Sequence, residues 1–164
     1  MKTLLLIRHA KSSWATIGQL DFDRNLNERG LKDANAMAKR LLQHNFAVSK
    51  FISSPAKRTS TTCSIFANAY NSKKEDIIFV EKLYNAPEYV FAEIVQNLVE
   101  GDNVVAIFAH NPGITNFVNK LCKNVQIDNM PTCGIFAVQA AVKTWKEFIT
   151  AEKDFLFFKY PKEV

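Results

Sequence analysis

Short apolar runs alternate with segments of helical periodicity along most of this 164-residue chain, and no other feature restricts its fold as much. Residues 3–7, Val48–Ser53, Ile77–Val80 and Val104–Phe108 read as strands, because a brief apolar run between polar flanks suits a central place in a sheet. Asn27-Glu28-Arg29-Gly30 leads into Leu31, Ala34, Ala38, Leu41 and Leu42 at helical spacings, with Lys32, Asp33, Lys39 and Arg40 mostly opposite. That pattern predicts a helix ending near His44-Asn45, and further helices are predicted from Pro55 to Asn71, Pro87 to Val99 and Ile114 to Leu121. Residues 134–139, 143–148 and 154–159 read as strands, the last two as an edge hairpin. Residues 11–26 hold Gly18, Asp21, Asp23 and Asn25 without a clean period and are expected to form a long loop. The alternation predicts an α/β fold: a three-layer helix–sheet–helix sandwich around a mostly parallel central sheet.

With 48% apolar residues and no Pro/Gly/Ser-rich linker, residues 1–164 are expected to form a single domain. Leu4-Leu5-Leu6-Ile7 falls far short of the roughly 20 apolar residues of a membrane span. It is not followed by a cleavage pattern either, so a cytoplasmic protein with no membrane partner is expected. Cys63, Cys122 and Cys133 lie far apart with no CxxC pair, which predicts reduced, packed thiols. The net charge of +5 is dispersed, Lys73-Lys74 being followed at once by Glu75-Asp76. No basic-aromatic interleaving accompanies it, so no nucleic-acid partner is expected. A basic cleft for a small anionic group fits the same charge.

In open α/β sheets, ligands gather beyond the carboxyl ends of the strands. Arg8-His9 follows the first strand, Arg58 lies one helical turn past the second, and His110 follows the fourth. Two arginines and two histidines at strand ends suit phosphate. The guanidinium fork holds two phosphate oxygens at once. A neutral imidazole is a competent nucleophile near neutral pH, and its attack on phosphorus gives a phosphohistidine that water then hydrolyses. Arg8, Arg58 and His110 would offset charge on the equatorial oxygens, with Arg24 a further candidate contact. Singly, each has an ordinary structural reading as a turn residue or a surface cation. Their joint placement is what points to a site. His44, near a helix end, is read as facing the helix dipole.

At these residues the chain resembles a known family. Leu6-Ile7-Arg8-His9-Ala10 resembles the Arg-His signature of the histidine phosphatase superfamily, also called phosphoglycerate-mutase-like. Leu26-Asn27-Glu28-Arg29-Gly30, the stretch from Ser53-Ser54-Pro55 through Arg58 to Thr62, and Ala109-His110-Asn111-Pro112 resemble its later motifs in order. The resemblance implies that His9 is the nucleophile, that Arg8, Arg58 and His110 form the phosphate pocket, and that no metal or other cofactor is used. The compact length, Leu83-Tyr84-Asn85-Ala86 and His110-Asn111-Pro112-Gly113 look most like the SixA-type phosphohistidine phosphatases.

One departure bears on the substrate. Many phosphoesterases of the superfamily carry an acid after the third strand, in a Leu-x-Glu pattern; here Leu83-Tyr84 is followed by Asn85, which has no titratable proton. Glu81 and Asp21 are the candidate general acids, and Asn85 a candidate substrate contact. A general acid is worth roughly 10²–10⁴-fold when an alkoxide must leave, and a protonated imidazole needs less help. The expectation is a phosphatase acting on phosphohistidine in proteins. Its alternatives are a phosphomonoesterase for small esters and a non-catalytic phosphate-binding module. Little chain is left to cap the crevice, so Trp14 and Phe22 are expected at an open rim or in the core. The sequence does not fix the oligomeric state.

Overall fold

The computed structural model describes residues 1–14 and 16–162. Its sheet runs β3-β2-β4-β1-β5-β6. The strands are β1 (Lys2–Arg8), β2 (Lys50–Ser53), β3 (Ile78–Phe79), β4 (Val104–Ala109), β5 (Ile135–Ala140) and β6 (Asp154–Lys159). Strand β1 pairs in parallel with β4, β4 with β2, and β2 with β3. On the other side β5 runs antiparallel to β1, and β6 antiparallel to β5. The helices are α1 (Glu28–Leu42), α2 (Lys57–Ala69), α3 (Glu88–Gln96), α4 (Gly113–Leu121) and α5 (Trp145–Thr150).

Strand β1 is apolar without interruption because both its faces are covered. Leu4 and Leu6 pack with Phe91, Phe117, Trp145 and Phe148, from α3, α4 and α5. Leu5 and Ile7 pack on the opposite face with Met37, Leu41, Cys63 and Phe66, from α1 and α2. The result is the expected three-layer sandwich with a largely parallel sheet. All three cysteines are free and buried. Among the described residues, no helix is long and apolar enough to cross a membrane.

The structure corrects one predicted strand. Residues 143–148 lie largely within α5, so β6 pairs with β5 instead of with a neighbouring hairpin strand. Thr144 caps this helix by accepting from the Glu147 backbone N–H at 3.1 Å, and Glu147 reaches back to accept from the Lys143 N–H at 3.3 Å. Trp145 and Phe148, three apart, then bury one helical face. Strand β3 is shorter than predicted, and Ile78 and Phe79 remain exposed on its edge. Helix α1 begins where Asn27 accepts the Gly30 N–H at 2.8 Å. His44 lies beyond its last turn and stacks on Phe157, with ring centroids 4.0 Å apart.

Parallel pairing brings the carboxyl ends of β1, β4 and β2 to one edge, with Arg8 opposite Ala109 and Ser53 opposite Phe108. Two glycines let chain segments close around that edge. A Cβ on Gly30 would lie 2.1 Å from the Lys11 carbonyl oxygen, and one on Gly113 would lie 1.8 Å from that of Ala86. Only a residue without a side chain allows either approach.

Candidate active site

Beyond the ends of β1, β4 and β2 lies an open cleft of about 230 Å³, lined by Arg8, His9, Arg24, Arg58, Asn85 and His110, among others. His9 and His110 are buried, and their ring centroids stand 5.3 Å apart. His9 Nδ1 lies 2.8 Å from the Ala10 carbonyl oxygen. That oxygen can only accept, so Nδ1 carries the hydrogen and Nε2 holds a lone pair. Arg58 Nε donates to this Nε2 at 3.4 Å. His110 takes the opposite tautomer. Arg58 Nη2 approaches its Nδ1 at 3.4 Å and can only donate, so Nε2–H of His110 donates to Ser54 Oγ at 2.7 Å, with Thr59 Oγ1 3.2 Å away. One guanidinium thus faces both imidazole lone pairs.

Burial pulls the His9 pKa from 6.5 to about 3; the Ala10 bond opposes this, and His110, Arg58 and Arg8 add to it. Burial also takes His110 to about 3, with Arg58 next in weight. Both rings are therefore neutral near pH 7. Arg8 donates from Nη1 to the Met130 carbonyl at 2.9 Å, while its buried Nε has no hydrogen-bond partner among the described residues. Asn111 donates to the same carbonyl at 3.0 Å and accepts from Thr115 at 2.6 Å, which ties the 129–133 loop to α4.

Asp21, in a 3₁₀ turn of the long loop (Asp21–Asp23), reaches the site as an anion. Its carboxylate accepts from Arg58 Nη2 at 3.1 Å, Tyr84 OH at 2.7 Å and Arg24 Nε at 3.0 Å. Partial burial pushes its pKa up, but the Tyr84 hydroxyl and the two arginines outweigh that and bring it to about 2. A carboxyl so held is an anion at neutral pH, and its three hydrogen bonds place it to position Arg58 and Arg24. Glu81 is exposed in the turn Glu81–Leu83 and does not line the cleft, so the structure does not bring it to the site. Asn85 lines the cleft from a left-handed backbone position, φ 56°. Arg24 is buried, donates to Ser12 Oγ at 2.8 Å, and lies 3.4 Å over the Trp14 ring. Trp14 is exposed on the rim, and Phe22 packs edge-on against Tyr84 at 5.1 Å.

Sequence reading missed the hydroxyls that set this geometry: Ser54 and Thr59 on His110, Ser12 on Arg24, and Tyr84 on Asp21. Ser54 and Thr59 sit within the segment around Arg58, and that proximity was the available signal. Nothing in the local pattern marks Tyr84. Among the described residues, no group of three or more His, Cys, Asp or Glu could hold a metal ion.

Residues 4–86 match the histidine phosphatase superfamily (branch 1), about half the chain's length. The chain belongs to the histidine phosphatase superfamily. That membership makes it a hydrolase of the histidine-phosphatase type. It is 28% identical over 154 residues to an uncharacterized chloroplastic protein of Arabidopsis thaliana, covering 89% of this chain and 70% of that one. It is 40% identical over 82 residues to phosphoserine phosphatase 1 of Hydrogenobacter thermophilus, covering 48% of this chain and 38% of the relative. Among solved structures, it superposes on a candidate phosphohistidine phosphatase SixA from Agrobacterium tumefaciens with a TM-score of 0.82 at 23% identity, covering 98% of each chain. Phosphoserine phosphatase of Entamoeba histolytica superposes with a TM-score of 0.68 at 16% identity, covering 99% of this chain and 98% of that one. The fold likeness is closer to the former.

Proposed function

We propose that this chain removes phosphate from phosphohistidine by way of a covalent intermediate on His9. The observation that carries this reading is the pairing of a neutral, tautomerically fixed His9 with a cleft whose lining, among the described residues, includes no carboxyl group. The His9 Nε2 lone pair attacks phosphorus, the P–N bond of the substrate breaks, and Arg8 and Arg58 hold peripheral oxygens, joined by His110 when the phosphoryl group's negative charge draws a proton onto its Nδ1. The buried Arg8 Nε without a partner suits a phosphate oxygen as acceptor. The leaving imidazole departs neutral when its second nitrogen already carries a proton, so the enzyme need not supply one. Water then attacks the phosphoryl group on Nε2, releases inorganic phosphate and restores neutral His9. The arginines provide the positive charge that a metal ion gives in other phosphatases.

A small-ester phosphatase is the second reading, favoured by the 40% identity to phosphoserine phosphatase 1 over 82 residues. The deciding experiment compares wild type with His9→Ala on a phosphohistidine peptide and on an aryl phosphate. Rapid peptide turnover and an acid-labile phosphoenzyme, both lost in H9A, are expected, with aryl turnover slower. A folded wild type that ignores the peptide and hydrolyses only the ester would overturn the phosphohistidine reading.

A further inference from the structure

The long loop exposes several large apolar side chains beside the cleft. Ile17 is fully exposed, Leu20 is 69% exposed and Trp14 76%. The loop is nevertheless built. Its base is closed by a bridge between Ser12 and Leu26 and by the Ser13 N–H donating to Asn25 at 2.9 Å. Gln19 donates to the Asp23 carbonyl at 3.0 Å, and the Asp23 N–H to that of Leu20 at 3.0 Å. Each end is fixed to the site. Trp14 lies under Arg24, and Phe22 packs on Tyr84, whose ring lies edge-on to His110 at 5.6 Å. Ile17 and Leu20 lie between these anchors in the chain and have no apolar cover. Leu20 directly precedes Asp21, whose carbonyl and carboxylate accept from Arg58 at 2.7 and 3.1 Å, so exposed apolar surface borders the cleft, and such surface beside a site marks a contact.

We propose that this rim, through Ile17 and Leu20, binds apolar residues flanking the phosphohistidine of a protein substrate. The inference rests on the phosphohistidine reading above and names what surrounds the phosphorylated side chain. The cleft, at about 230 Å³, is smaller than the roughly 300–1,000 Å³ of pockets that enclose a small ligand. It has room for a phosphoryl group and an imidazole, and the polypeptide carrying them must lie across the rim. The rim is continuous with the cleft through Trp14, which lines both. A flanking apolar residue of the substrate would cover surface that the loop leaves in water.

The test uses Ile17→Ser/Leu20→Ser, two exposed positions outside the catalytic cluster, with a melting curve to verify folding. Three substrates are compared: free phosphohistidine, a phosphohistidine peptide with Leu and Phe flanks, and one with Ser and Gly flanks. Wild type is expected to favour the apolar peptide by about tenfold in kcat/KM, the effect of partly burying two aliphatic side chains. The double variant is expected to lose that preference while keeping wild-type turnover of free phosphohistidine. Equal wild-type turnover of both peptides, or a preference that survives the double substitution, overturns the rim proposal and leaves the phosphohistidine reading standing. Loss of binding to anionic lipid vesicles in the variant, with no change in peptide preference, reassigns the rim to a membrane surface. Wild-type turnover of aryl phosphate alone defeats the underlying reading.

Discussion

Asp21 shows how a residue can be located from sequence while its role depends on partners the sequence does not display. Its place in the loop after the signature made it a candidate acid; its three hydrogen bonds make it a clamp on Arg58 and Arg24. No spacing rule anticipates Tyr84, because its contact with Asp21 spans 63 positions and depends on how two loops meet. Arg8, His9, Arg58 and His110 were legible because parallel strands bring their ends together. The two roles for Asp21 predict different kinetics. As a clamp, Asp21→Asn should lower kcat/KM about 10- to 100-fold on phosphohistidine and aryl phosphate alike, since a charged hydrogen bond is lost on Arg58. As an acid, it would affect the ester alone and abolish the alkaline limb of that pH profile. Steady-state kinetics on both substrates separates the two.

Among the elements, α5 was the one misjudged. Lys143-Thr144-Trp145-Lys146-Glu147-Phe148 is rich in residues favoured in strands, yet Thr144 and Glu147 stand at the spacing of a capping box. In so short a segment the cap and the burial of Trp145 and Phe148 outweigh propensity. Thr144→Ala should cost about 1 kcal/mol in urea unfolding, with activity unchanged, because α5 lies away from the cleft. Helix α4 is tied to the site instead: the Ile114 N–H in its first turn donates to the His110 carbonyl at 3.0 Å. Gly113→Ala would press a methyl group on the Ala86 carbonyl, and it should cost about 1–3 kcal/mol while also lowering kcat by shifting His110. A melt and a turnover assay on the same preparation give both readouts.

The whole molecule carries a proton linkage that no segment of sequence displays. The α/β class and the parallel strands follow from alternation, but the order β3-β2-β4-β1-β5-β6 depends on which faces the helices cover. That order is what buries two histidines side by side. Both have folded pKa values near 3 against an ordinary 6.5, so the unfolded chain binds more protons between those limits. Their contribution to stability is full above about pH 6.5 and is lost as pH falls through about 3. The melting temperature should therefore drop steadily across that window, and His9→Phe/His110→Phe should flatten the slope. Sulfate, dianionic throughout, should stabilise wild type more at pH 5 than at pH 7.5, because an anion in the cleft favours charged rings.

The placement of Arg58 between the two imidazoles also bears on how a catalytic cycle ends. Its guanidinium donates toward both lone pairs, so an anion entering the cleft competes with the two imidazoles for the same N–H groups. A product phosphate must displace those contacts to remain bound. That competition makes the hold of Arg58 on a free anion weaker than that of a guanidinium with no such neighbours.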